Sequence, residues 1–77
     1  MRIKVMVPLA LRRSQIDERG WVEVPEGTTL SQLVHKLGLP GTLLKSLFLS
    51  VNGIRVPLST ELKDGDVVSI IAPLAGG

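Results

Sequence analysis

Between residues 29 and 40 the chain spells out one short helix with a signal at each end. Leu30, Leu33, Val34 and Leu37 recur at i, i+3, i+4 and i+7, the spacing of an apolar stripe on a helix. Thr29 and Gln32 stand three apart, as in a capping box: the hydroxyl takes an orphan backbone N–H and the amide side chain reaches back. Gly38 supplies a left-handed position after the last turn. Leu39 is placed to fold back on Val34 in a Schellman closure, and Pro40 forbids continuation. A helix over Leu30–Leu37 with a single apolar stripe cannot stand alone. It must lie on one face of another layer, and the flanking sequence supplies strands for it.

Arg2–Val7 alternates with period two, which predicts a strand with Ile3, Val5 and Val7 inward and Pro8 at its end. Leu9–Gly20 reads as a connecting turn, with one helical turn expected over Leu9–Arg13. Trp21–Val24 is a second strand with Val22 and Val24 inward, and Pro25-Glu26-Gly27 is a turn signal. Gly41–Ser46 is ambiguous; Leu43, Leu44 and Leu47 are candidates to cover an edge of the core. Phe48–Val51 is a third strand. Asn52-Gly53 marks a hairpin, because both residues tolerate the positive φ of a type I′ turn. Ile54–Val56 is expected to return as a short strand. Pro57–Glu61 is a loop, and Lys63-Asp64-Gly65 turns the chain into a last strand, Asp66–Ala72. This order predicts an α+β fold in which the first and last strands are central, parallel neighbours. That is a β-grasp, ubiquitin-like, with a mixed four- to five-stranded sheet and one main helix packed on one face.

Composition narrows the function classes. Seventy-seven residues make one domain. A chain this short buries only about 60–65 % of its unfolded surface, so it has one modest core. With 44 % hydrophobic and 21 % charged residues it is not disordered by composition. The absence of cysteine removes disulfides, thiolate metal sites and a cysteine nucleophile. No signal peptide is visible at the start and no run approaches the roughly 20 apolar residues of a membrane span, so a cytoplasmic protein without membrane partners is expected. Nine basic and seven acidic residues leave a net charge of +2, with Arg12-Arg13 as the one tight basic pair. Nucleic-acid binders carry a clustered basic stripe and stacking aromatics, so no nucleic-acid role is expected.

Alternation also predicts the sheet face turned away from the helix. It carries Lys4, Met6, Trp21, Phe48, Ser50, Val67 and Ile71, an apolar set for a solvent face, and such patches mark binding sites. Met6, Trp21, Phe48 and Ile71 are the expected docking residues. A one-residue slip in register would exchange the faces.

The remaining feature is Pro73-Leu74-Ala75-Gly76-Gly77. Glycine offers nothing to bury and loses the most freedom on ordering, so Gly76-Gly77 is poor packing material. It makes a thin thread able to enter a narrow channel. Extended, Pro73 to Gly77 reach at most about 17 Å. Val51-Asn52-Gly53, Leu62-Lys63-Asp64-Gly65-Asp66-Val67-Val68 and this tail together resemble the ThiS/MoaD family of ubiquitin-like sulfur carriers over nearly the whole length. Ala72, where many relatives have a second proline, and Leu74, where valine is common, depart from the pattern. The resemblance implies a β-grasp body over 1–72 and a flexible tail over 73–77. It implies that an activating enzyme related to the ubiquitin activators uses ATP and Mg²⁺ to adenylate the Gly77 carboxylate. A sulfur donor then displaces AMP and leaves a thiocarboxylate, which a synthase partner uses to make molybdopterin or the thiazole of thiamin. Gly77 and Gly76 would be the reacting end, and Pro73, Leu74 and Ala75 would lie in the partner's channel.

The chain lacks Gly-x-x-x-x-Gly-Lys-[Ser/Thr] or another visible phosphate cradle, so it is read as a carrier and not an enzyme, binding no cofactor of its own. His35 on the helix flank is read as a solvated residue, with no nucleophile to pair with. Asp64 and Asp66 lack the further oxygen ligands Ca²⁺ or Mg²⁺ require; a turn role for Asp64 and strand-entry solvation for Asp66 are expected instead. Arg12-Arg13, Arg55 and Lys63 could steer an acidic partner. Two rival readings remain: a protein modifier joined through Gly77 to lysines, and a β-grasp interaction domain whose Gly-Gly end is incidental.

Overall fold

The computed structural model describes residues 1–8, 15–39 and 48–71. Within them lie β1 (Arg2–Met6), β2 (Trp21–Glu23), α1 (Leu30–Lys36), β3 (Phe48–Val51) and β4 (Val67–Ile71). The sheet order is β2-β1-β4-β3. β1 and β4 run parallel at the centre, with Lys4 opposite Val67 and Val5 opposite Val68. β2 pairs antiparallel with β1, and β3 antiparallel with β4. Among the described residues the expected mixed sheet, its central parallel pair and its one main helix are all present, and the fold is a ubiquitin-like β-grasp.

The helix forms where its signals stand, and the donors of its first turn are all answered. Thr29 accepts from the Gln32 N–H (3.2 Å) and the Gln32 side chain accepts from the Thr29 N–H (2.9 Å). The next two orphan donors go to a distant loop: Leu30 N–H to the Thr60 carbonyl and Ser31 N–H to the Leu58 carbonyl, both 2.9 Å. At the other end Gly38, at φ +74°, donates to His35 (2.9 Å), and Leu39 donates to Val34 (3.4 Å). That is the Schellman pattern. The helix stops at Lys36, with Leu37 as its buried C-cap residue.

Leu30, Leu33, Val34 and Leu37 meet Ile3, Val5, Val22, Val68 and Ile70 from the sheet in one core. Val7 and Leu49 pack at its margin, half-buried. Ile16 and Leu62 are also buried in that core, although no period-two or helical pattern marked them. The expected connecting turn therefore contributes a core side chain in its described part. The helical turn expected over Leu9–Arg13 and the leucines 43, 44 and 47 lie outside the described residues. The Asn52-Gly53 hairpin turn has both residues at positive φ (53° and 82°), closed by paired Val51 and Ile54 bonds of 2.8 and 3.0 Å. The expected Ile54–Val56 strand does not form: a single bridge joins Ile54 to Val51 and the ladder goes no further. Pro57 follows at once, and the loop backbone turns to serve the helix N-terminus instead. Among the described residues no helix is long and apolar enough to cross a membrane.

Candidate functional site

The strand register fixes what faces away from α1. In β1 these residues are Arg2, Lys4 and Met6; in β2, Trp21 and Glu23; in β4, Val67, Ser69 and Ile71; in β3, Phe48 and Ser50. Phe48 pairs directly with Ile71, and Met6 with Ser69. Met6, Phe48 and Ile71 are 56, 48 and 57 % exposed, so three large apolar side chains share one end of this face. Met6, Val7, Pro8, Ser69, Ile70 and Ile71 line a shallow groove of about 350 Å³ there. Trp21 is placed differently. It lies on β2, the edge strand across the sheet from Phe48, level with Lys4 and half-buried, with the Arg2 guanidinium 4.8 Å and the Lys4 ammonium 5.3 Å from its ring centroid. The Lys4 ammonium also donates to the Arg19 carbonyl.

The groove lies at the end of β4, from which residues 72–77 continue. The tail positions Pro73, Leu74, Ala75, Gly76 and Gly77 lie outside the described residues, as do Arg12 and Arg13. The structure does show what holds the strand that carries the tail. Asp66 accepts from the Asn52 side-chain amide (2.9 Å) and from the Lys63 N–H (2.8 Å). Asn52 in turn accepts from the Val67 N–H through its side chain (2.9 Å) and donates its own N–H to the Val67 carbonyl (2.7 Å). Asp64 accepts from the Arg2 N–H (2.8 Å), at the start of β1. Asp66 is thus a clamp between hairpin and final turn, beyond the solvation expected of it, and Asp64 has the turn role. Among the described residues no group of three or more His, Cys, Asp or Glu could hold a metal ion. His35 is exposed.

Sequence reasoning passed over Asp17. Its carboxylate accepts from the N–H groups of Arg19 and Trp21, both at 2.8 Å, while its own N–H donates to the Trp21 carbonyl (2.9 Å). The Trp21 N–H above all holds the Asp17 carboxyl below the usual carboxylate range; desolvation opposes it, and the Arg19 N–H, the Arg2 guanidinium and the Gly20 N–H each add to the lowering. Gly20 takes φ +93° there and its carbonyl accepts from Val5 (2.7 Å). The Asp17-x-x-Gly20 spacing was the available signal: an acidic acceptor three residues before a left-handed glycine is turn chemistry. This loop aims Trp21 and opens β2.

The same architecture occurs in solved structures. One neighbour is SAMP1 from Haloferax volcanii, with a TM-score of 0.70 at 16 % identity, covering 100 % of both chains. Another is a putative molybdopterin converting factor, subunit 1, from Pyrococcus furiosus, with a TM-score of 0.70 at 26 % identity, covering 96 % of this chain and 99 % of that one. No curated protein matches significantly in sequence. The ThiS family profile matches residues 12–77, through both final glycines, and the chain belongs to that family of ubiquitin-like sulfur carriers.

Proposed function

We propose that this chain is a carrier whose Gly77 carboxylate is adenylated and converted to a thiocarboxylate, with residues 1–72 as its body and 73–77 as its tail. The single observation that supports this most is the family match running through Gly77, joined to a body whose central strand β4 leads straight into the tail. A carboxylate is a poor electrophile, since its charge repels nucleophiles and oxide leaves badly. In the proposed sequence a carboxylate oxygen attacks the α-phosphorus of ATP and pyrophosphate departs. The terminal sulfur of a donor persulfide then attacks the acyl carbon and AMP leaves. A second thiol breaks the S–S bond, leaving the thiocarboxylate here and a disulfide on the donor. ATP, Mg²⁺ and catalysis belong to a ubiquitin-activating-type enzyme; this chain is a co-substrate in the cytoplasm. The Pyrococcus neighbour, named as a putative molybdopterin converting factor subunit, favours a molybdopterin-forming synthase as the recipient over a thiazole-forming one. Met6, Phe48 and Ile71 are the proposed docking residues, with Trp21 at the flank.

Intact-mass spectrometry of the chain recovered from its native cell tests the reading. Replacement of one oxygen by sulfur at Gly77 supports the carrier. An isopeptide from Gly77 to lysine supports the modifier. A bare carboxylate that also resists a competent activating enzyme overturns both. Deleting Gly77 is expected to abolish adenylation, with thermal unfolding as the control for the fold.

A further inference from the structure

Two cations border the apolar end of the sheet face. Arg55 lies over the Phe48 ring, its guanidinium carbon 5.4 Å from the centroid. Lys4 stands one step along β1 from Met6, and the acceptor of its ammonium, the Arg19 carbonyl, carries no charge. Arg2 differs, because Glu23 stands 4.0 Å from it and Asp17 senses its charge. Among the described residues Glu23 is the only carboxylate at a strand position on this face, and it sits opposite Arg2, at the end remote from Ile71. The end nearest the tail is therefore apolar in the middle and positive at its borders. A ring under a guanidinium does not neutralise it; the charge stays available while its position is restricted, so less entropy is lost when it pairs.

We propose that this end of the face docks a protein surface of the opposite pattern, apolar side chains bordered by carboxylates, and that Arg55 selects for it. The occupant is the activating enzyme of the proposed reaction, because residues 72–77, whose end it must take up, follow Ile71 directly in the sequence, and Met6, Phe48 and Ile71 are exposed at that end of the face. The partner's identity rests on the carrier reading; the chemistry of the surface rests on the residues just named. Rim charges of this kind govern encounter rate and salt dependence more than residence time.

The test has two arms. In the first, adenylation of the full chain by its activating enzyme is followed by pyrophosphate release. Arg55→Glu is expected to raise KM roughly tenfold with kcat unchanged, since an exposed ion pair is lost and charge reversal adds repulsion. Arg55→Lys should restore most of it. Raising salt from about 0.05 to about 0.5 M should raise the native KM and barely move that of Arg55→Glu. An unchanged KM for Arg55→Glu overturns the inference. The second arm needs no enzyme. Amide NMR shifts are followed with the probe peptide acetyl-Asp-Asp-Leu-Phe-Leu-Asp-Asp-amide and with its counterpart carrying Asn for every Asp. Shifts at Phe48, Ser50, Ser69 and Ile71 with the acidic peptide, several-fold weaker with the neutral one and lost in Arg55→Glu, support the proposal. Equal response to both peptides, or tighter binding of a single-stranded oligonucleotide of matching charge, overturns it. A native chain that is never adenylated refutes the carrier reading, and the peptide arm then still decides the surface chemistry.

Discussion

Ile70 and Ile71 are neighbours in β4 with opposite fates, and substituting each by alanine tests the register on which the docking face depends. Ile70 is 2 % exposed among the core side chains, whereas Ile71 is 57 % exposed and pairs with Phe48 on the other face. Ile→Ala removes three carbon atoms beyond Cβ. At about 0.8 kcal/mol per buried methylene the transfer loss at Ile70 is about 2.4 kcal/mol, and the cavity left behind raises it to about 3–4. At Ile71 less than half of the side chain leaves water, so the same arithmetic gives about 1 kcal/mol and no cavity. A domain of this length holds about 4–12 kcal/mol in total, so Ile70→Ala removes a large share. Urea unfolding followed by the fluorescence of Trp21, the sole tryptophan, reads both changes. With a slope of about 1 kcal/mol/M, the midpoint should fall by about 3 M for Ile70→Ala and about 1 M for Ile71→Ala. In adenylation the order should reverse, Ile71→Ala raising KM and Ile70→Ala leaving it unchanged under conditions where the variant stays folded. Equal losses of stability, or a larger one at Ile71, would mean that β4 is slipped by one residue and that the face is its own core.

Asp17 gives a pH signature. Its carboxyl is held below its ordinary 3.8, so its stabilisation is complete above that value and disappears as pH falls through the lower folded value. Asp17→Asn should be less stable than the native chain at pH 7 and converge with it at the acid end of that window; parallel stability–pH curves would refute the role given to the carboxylate. Gly20→Ala would place a Cβ 3.1 Å from the Val5 carbonyl oxygen at φ +93°. It should cost about 1–2 kcal/mol in urea unfolding, more than alanine at an ordinary loop position, and an unchanged midpoint would show that this approach is slack. Asn52→Gly keeps the turn's positive φ and deletes the side-chain bonds to Asp66 and Val67, so about 1–2 kcal/mol should be lost without loss of the hairpin. Hydrogen exchange at Val67 should rise with it, and unaltered protection there would place the restraint elsewhere.

The features legible in the sequence are those set by neighbours along the chain. Thr29 to Gln32, Gly38 to Leu39 and Asn52-Gly53 each fold within a few residues, so their spacing carries the whole signal. Strand alternation, likewise, assigned the faces of Ile3, Val5, Val68 and Ile70. What was not legible runs between distant segments. The Ile54–Val56 return looked like a strand by composition, but the loop that follows gives its Leu58 and Thr60 carbonyls to the helix N-terminus, and a longer ladder would draw that backbone away. Ile16 and Leu62 sit in no periodic run, and only the closed fold shows them buried. Asp66 read as a polar residue at a strand entry because its partner, Asn52, is fourteen positions away. The same distinction applies to the candidate site. The apolar identity of Met6, Phe48 and Ile71 follows from period two, whereas the charge around them does not: Arg55 reaches Phe48 across the hairpin turn, and Lys4 is directed by a carbonyl of the Arg19 loop. An electrostatic border assembled from three separate segments is free to vary while the core alternation stays fixed. On the docking proposed for this face, a β-grasp body can keep its fold and change which partner it accepts by substitutions at Lys4 and Arg55.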